Sequence, residues 1–176
     1  MEEVLYLGAI ALFAVHFLAL YRALRATSLA PALFGSGLGI MGLILLAAGA
    51  LPQVATAAIS DLYHAPSATP GDQATLLLLW QATWGMLDAL LVAGLLLLPI
   101  ALLTLGVAML RTPAFGKGYG WISVALGIAG AAAALALLVD VSEIAAVVIF
   151  ALMGFHVAVG WKVFKLSKRG AMRDPS

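Results

Sequence analysis

The sequence predicts an all-α integral membrane bundle of five transmembrane helices, with the amino terminus outside, the carboxyl terminus in the cytoplasm and an outer helical hairpin or lid. Three observations predict it. Apolar residues make up 64% of the chain and charged ones only 10%, where soluble domains average about 45–50% and about 25%. The 176 residues leave room for about five helices of some 20 residues each, the length that crosses a hydrocarbon core of about 30 Å. Charge is sorted along the chain. All nine basic residues (Arg22, Arg25, Arg111, Lys117, Lys162, Lys165, Lys168, Arg169 and Arg173) fall in three connections. Seven of the eight acidic ones (Glu2, Glu3, Asp61, Asp72, Asp88, Asp140 and Glu143) fall in the other three, and only Asp174 mixes. Cytoplasmic connections collect Lys and Arg, so this alternation implies an odd number of crossings in the cell membrane, ending inside.

A single transmembrane domain follows, because no separate soluble module is visible in 1–176. The absence of cysteine excludes disulfides, thiolate zinc sites, iron–sulfur clusters and cysteine nucleophiles. The chain opens Met1-Glu2-Glu3 and stays apolar to Tyr21, so its first segment reads as a retained span and not as a cleaved leader, which wants a basic start.

Span one covers residues 4–24 and ends in Tyr21 and Arg22, an aromatic and basic interface anchor. Span two covers 29–50, with Pro31 in its first turn, where a missing N–H costs nothing. Its Gly35, Gly39, Gly42 and Gly49 share one helical face, which suits close helix packing or a homodimer seam. Pro52 is expected to limit this span. The outer hairpin occupies 52–87, with a short surface helix over PQVATAAISDLY, a turn-rich loop at Pro66, Pro70 and Gly71, and a second arm over 74–87. On that arm Leu77, Trp80, Gln81, Trp84 and Asp88 lie on one side, a mixed aromatic and polar face of the kind found at membrane interfaces.

Span three covers 88–110, and Pro99 within it, unable to donate to the carbonyl of Leu95, is expected to kink the helix. Span four covers 119–139 and is rich in small residues (Gly120, Ser123, Gly127, Gly130), which places it in the middle of the bundle. Asp140 or Ser142 caps span five over 144–164, and the chain then breaks into a basic tail, 165–176, suited to anionic lipid headgroups.

Spans one and five echo one another. Each carries Ala-Leu, then a histidine (His16, His156), an aromatic five residues later (Tyr21, Trp161) and basic residues six and nine later (Arg22 and Arg25, Lys162 and Lys165). Both run outward to inward, so the histidines share one depth. Two facing imidazoles are what bis-histidine ligation of haem b requires. The alternatives are hydrogen bonds across helices, to Ser36, Ser123 or Thr104, or quinone, lipid or proton handling. A second polar set lies outside: Asp61, His64, Asp88, Asp140 and Glu143, without the tight ligand spacing of a metal site. Asp88, Trp84, Gln81 and His64 form the other candidate polar site. No nucleophile elbow and no phosphate-binding loop is present, so the chain leans away from enzymatic chemistry, and nothing in it calls for nucleic acid.

The stretches Phe34-Gly-Ser-Gly-Leu-Gly-Ile-Met-Gly42, Ser60-Asp-Leu-Tyr-His-Ala-Pro66 and Phe115-Gly-Lys-Gly-Tyr-Gly-Trp-Ile-Ser-Val-Ala-Leu-Gly127 resemble those of small prokaryotic multi-pass membrane proteins grouped as domains of unknown function. The resemblance implies a helical bundle and carries over no activity, cofactor or site residue. Three functional classes are compatible with the chain: a protein that binds a membrane partner, a lipid or a hydrophobic ligand, a small b-type cytochrome using His16 and His156, and a small transporter or transporter subunit in which Pro99 and Asp88 would matter.

Overall fold

The structure, a computed structural model, describes residues 2–136 and 142–171, with side chains for 5–136, 150 and 152–166. It is all helical: α1 (Glu2–Leu24), α2 (Leu29–Tyr63), α3 (Pro70–Leu110), α4 (Gly116–Ala136) and α5 (Ser142–Ala171). Four of these, α1 to α4, are long and apolar enough to cross a membrane. The bundle leaves large apolar side chains such as Leu12, Val15, Ile44, Ile122 and Val157 exposed. Helices satisfy their own backbone groups, so such a surface is stable against hydrocarbon chains. The Asp140 cap, the side chains of Glu2, Glu3, Ser142 and Glu143, and residues 137–139 of span four lie outside the described residues.

Each helix packs on its neighbour in sequence, and α5 returns to touch α1, closing a ring. The α2–α3 and α3–α4 contacts are the most extensive, and α3 carries the most buried face, from Gly94 to Met109. The expectation that span four occupies the middle is therefore corrected. Helix α4 packs Gly120, Ser123 and Gly127 against α3, a narrow seam of small residues, and turns Trp121, Ile122 and Ile128 outward. Its small face brings it close to one neighbour without surrounding it.

Those small residues set the helix separations. A Cβ added to Gly127 would lie 2.8 Å from both the Leu103 nitrogen and the Pro99 oxygen, and one added to Gly106 would lie 2.9 Å from the Val124 nitrogen. On α2, a Cβ at Gly42 would meet the Gly94 carbonyl at 3.1 Å, and one at Gly39 would run into the Phe17 ring at 2.5 Å. The glycine face of span two is thus occupied within the chain, by α1 and α3, and is not free to form a homodimer seam. Two hydroxyls add polar links: Ser123 Oγ donates to the Leu102 carbonyl at 2.7 Å, and Thr27 Oγ1 lies 2.7 Å from Thr112 Oγ1, joining the α1–α2 and α3–α4 turns. Gly116, at φ 76°, turns the chain into α4 in a left-handed conformation that only glycine adopts without strain.

Both internal prolines lie inside continuous helices. Pro52 does not end α2, which runs to Tyr63, and α3 is unbroken through Pro99 from Pro70 to Leu110. Pro52 and Pro99 are buried, and the Pro99 ring packs under Gly130. Neighbouring helices hold each proline in place, as membrane helices allow. The hairpin expected over 52–87 is therefore present but is no separate lid: its arms are the ends of α2 and α3. At about 1.5 Å per residue, the 35 residues of α2 reach about 52 Å and the 41 of α3 about 62 Å, well past a core of about 30 Å. Likewise the basic stretch from Lys165 continues α5 to Ala171 instead of breaking from it.

The hairpin tip is held by a capping box. Thr69 Oγ1 accepts from the Asp72 backbone N–H, and the Asp72 carboxylate accepts from the Thr69 backbone N–H at 3.0 Å and from its hydroxyl at 2.6 Å. Pro70 occupies the first helical turn, so Pro70 and Gly71 begin α3 and do not belong to the loop. The hydroxyl and then the backbone N–H of Thr69 hold the Asp72 carboxyl below its ordinary range.

Two predictions follow from this packing. Gly127→Val should separate α3 from α4 and lower the thermal unfolding midpoint in detergent, at a cost of about 1–3 kcal/mol, whereas Gly37→Val, with nothing within 4 Å of its added Cβ, should leave the midpoint near that of the parent. Because the folded-state pKa of Asp72 is lowered, its contribution is complete above the ordinary carboxylate value and is lost as pH falls through the lower folded one. Amide exchange over residues 71–75, normalised for intrinsic rates, should be flat from pH 7 to 5 and lose protection only in stronger acid, and Thr69→Ala should mimic that loss at neutral pH.

Candidate functional site

Two places gather chemistry-bearing side chains. The first lies between the hairpin arms. Buried residues of α3 begin only at Gly94, and beyond Pro52 the buried side of α2 holds Ile59 alone, so past the bundle the arms pack on each other and little else. Between them runs a cleft of about 360 Å³ lined by Ile59, Ser60, Tyr63 and His64 of α2 and by Leu76, Leu77 and Trp80 of α3. The two walls differ. The α3 wall is wholly apolar apart from the indole N–H, while the α2 wall offers two hydroxyls and an imidazole.

Helical spacing explains this asymmetry. Ile59, Tyr63 and the pair Ser60 and His64 recur at intervals of four, and Leu76, Leu77 and Trp80 at three and four, so each arm turns one stripe to the other. His64 closes α2: its Nδ1 contacts the Ser60 carbonyl at 2.8 Å, and its ring meets that of Tyr63 edge-on at 5.1 Å. The carbonyl only accepts, so Nδ1 is the donor in this contact. Gln73 Nε2 donates to the Tyr63 carbonyl at 3.2 Å, tying the arms together near the tip.

Of the residues singled out on the outer side, the structure brings His64 and Trp80 to this cleft, with Trp84 against Trp80 at a centroid distance of 5.5 Å. Gln81 and Asp88 are exposed along α3, and Asp88 lies two helical turns from Trp80. Of Asp88, Trp84, Gln81 and His64, the lining of this cleft includes His64. Among the described residues no group of three or more His, Cys, Asp or Glu side chains is placed to hold a metal ion.

The second place is the pair His16 and His156. Their rings lie 5.0 Å apart with a tilt of 54°, at the contact where α5 closes on α1. His156 is buried and enclosed by the rings of Phe13 at 4.3 Å, Phe17 at 5.3 Å and Phe155 at 5.5 Å. Its Nδ1 donates to the Leu152 carbonyl at 2.8 Å, one turn back on its own helix. The expected hydrogen bonds across helices are therefore not formed: Ser123 donates to Leu102, Thr104 to Ile100 and Ala101, and Ser36 Oγ has no partner. The Nε2 atoms of both histidines are buried without a hydrogen-bond partner.

Tautomer and spacing point in opposite directions for haem. A Nδ1–H imidazole presents Nε2 as a lone pair, the form that ligates iron. Ligation from both sides, however, needs an iron and a porphyrin plane between the two rings. Here one imidazole lies directly against the other at a steep tilt, with the Phe13 ring closer still, so the arrangement does not fit that group.

The chain matches no family model, no curated protein and no solved structure. Sequence reasoning missed Ile59, Tyr63 and Leu76 as cleft residues, because a groove between two arms depends on their rotation about each other. It also missed the capping box, although Thr69-Pro-Gly-Asp72 before an apolar run is a legible start signal.

The histidine geometry yields a spectroscopic prediction. Protein purified after haem-replete expression should show no Soret band. A stoichiometric band lost in His16→Ala and in His156→Ala would mean that the helices α1 and α5 part to admit a porphyrin.

Proposed function

We infer that the protein is a binding protein of the cell membrane, crossing it five times with its amino terminus outside, and that it holds a largely apolar, amphipathic ligand in the outer cleft between α2 and α3. The observation that carries this reading is the cleft itself. Its volume of about 360 Å³ falls within the span of small-molecule sites, about 300–1,000 Å³. Its lining has the matching composition: apolar walls with few polar groups, here Ser60, Tyr63 and His64, to orient a head group.

Exposure supports the same reading. Leu62, Leu77, Leu78, Trp80, Trp84 and Met86 are exposed on arms that extend past the bundle. Apolar surface concentrated on a projecting element marks a binding or interfacial surface. The fifth crossing is supported by the 30-residue length of α5 and the apolar run from Ile144 to Phe164, and the orientation by the gathering of Arg22, Arg25, Arg111, Lys117, Lys162 and Lys165 at one end of the ring with Asp61 and Asp72 at the other. Resemblance to small prokaryotic multi-pass proteins agrees with this architecture and adds no activity. The transport reading asks for a broken helix at the midplane, and α3 is continuous through Pro99. The cytochrome reading asks for a separation of the imidazoles that the ring contact does not provide.

Quenching of tryptophan tests the proposal. A brominated single-chain fatty acid titrated into protein in nanodiscs should quench Trp80 and Trp84 saturably, and Leu76→Gln should weaken the half-saturation concentration by about tenfold, the factor that about 1.4 kcal/mol of lost apolar contact produces. Quenching that rises without saturation, equally in parent and variant, would reduce the effect to partition into the bilayer and sink the proposal.

A further inference from the structure

The opposite end of the bundle carries a site of different chemistry. Along α1 a groove of about 540 Å³ is lined by Val15, Leu18, Ala19, Tyr21, Arg22 and Arg25. Val15, Leu18, Ala19 and Arg22 follow the i, i+3, i+4, i+7 spacing of a single helical face. Arg25 keeps that register, since its N–H donates to the Tyr21 carbonyl at 2.9 Å. The groove thus has an apolar floor that ends in two guanidinium groups.

Its length matches one leaflet. From Val15 to Arg25 is ten residues, about 15 Å of helix, half of a hydrocarbon core of about 30 Å. Val15 and Leu18 are exposed, so in a bilayer an acyl chain covers them, and Arg22 and Arg25 then stand at headgroup level. Among the described residues, no ion pair engages either arginine: the carboxylates of Asp61 and Asp72 belong to the far ends of α2 and α3, and that of Asp88 lies midway along α3. The nearby lysines are differently placed: Lys162 lies over the Tyr119 ring at 5.6 Å and Lys165 over that of Trp161 at 5.1 Å. Neither guanidinium is committed to a carboxylate among the described residues, so both can engage an anion.

We propose that this groove is a binding site for one anionic glycerophospholipid, with its phosphate held by Arg22 and Arg25 and an acyl chain lying along Val15, Leu18 and Ala19. Guanidinium forks match phosphate oxygens two at a time, which an ammonium does not, and the apolar floor makes a lipid, not a free phosphate ester, the occupant. This site is separate from the outer cleft, and its test does not depend on that reading.

Native mass spectrometry of the full chain, released from micelles doped with phosphatidylglycerol or phosphatidylcholine, reads the proposal directly. One phosphatidylglycerol should stay bound at concentrations where phosphatidylcholine does not, with an affinity difference of about tenfold or more. The double variant Arg22→Gln/Arg25→Gln should lose that preference while keeping parental helix content by circular dichroism. Leu18→Trp, which fills the groove and leaves both arginines in place, should weaken binding of the lipid. Glycerol 1-phosphate should not compete. Equal retention of the two lipids, an unchanged preference in the double variant, undiminished lipid binding in Leu18→Trp, or full competition by glycerol 1-phosphate would each overturn the assignment.

Discussion

The closeness of α3 to both of its principal neighbours is the constraint on which the rest of the molecule depends. Lipid chains are as apolar as leucine, so helices in a bilayer gain little by hiding apolar surface from one another and must associate through van der Waals contact and a few hydrogen bonds. Glycine provides that contact here. Gly35 and Gly42 of α2 meet Ala101, Thr104 and Gly94 of α3, while Gly120 and Gly127 of α4 meet Leu110, Leu103 and Pro99 on its other flank. The Ser123 hydroxyl, directed at the Leu102 carbonyl, closes the same seam. Everything else hangs on this central sandwich, including the hairpin that leaves the bundle from α2 and α3.

The two ends of the sandwich are used differently. Toward the basic end the turns are short, Phe115 is buried beneath them, and Thr27 and Thr112 bind one another, so the helices finish together. Toward the acidic end α2 and α3 run on, because neither Pro52 nor any charge before Asp61 stops α2 and because the Thr69–Asp72 box starts α3 well outside a bilayer's thickness. The excess length leaves apolar side chains without bundle neighbours. Separation of the arms by residues of unequal size, Ile59 and Tyr63 against Leu76 and Trp80, opens the cleft between them.

Helix α5 packs on both α4 and α1. It closes the ring on α1 through a cluster of rings, Phe13, His16, Phe17, Phe155 and His156, in which the imidazoles serve partly as flat apolar surface. His156 satisfies one nitrogen from its own helix, so the polarity left in the contact is concentrated in two Nε2 atoms. Buried polar atoms without partners are rare because leaving them so costs about 1–3 kcal/mol each. His16 and His156 bring two of them to one contact, with ring centroids 5.0 Å apart.

The all-helical class and the sorting of charge to opposite ends were legible in composition and spacing, because a bilayer demands long apolar helices and the chain can meet that demand only by local sequence. Equal distance from basic anchors on two helices of the same direction also implies one depth for His16 and His156, but their contact waited on α5 closing against α1. Other features waited on tertiary structure. Proline stops a helix only where its freed carbonyl and its ring find no accommodation, and burial of Pro52 and Pro99 against neighbours supplies it. A glycine face names no partner, and the added-Cβ contacts of Gly39 and Gly42 assign it to α1 and α3 of the same chain. The cleft at Trp80 and the groove at Arg22 depend on the rotation of one helix against another, a quantity set by packing across the whole ring and by no single stretch of residues.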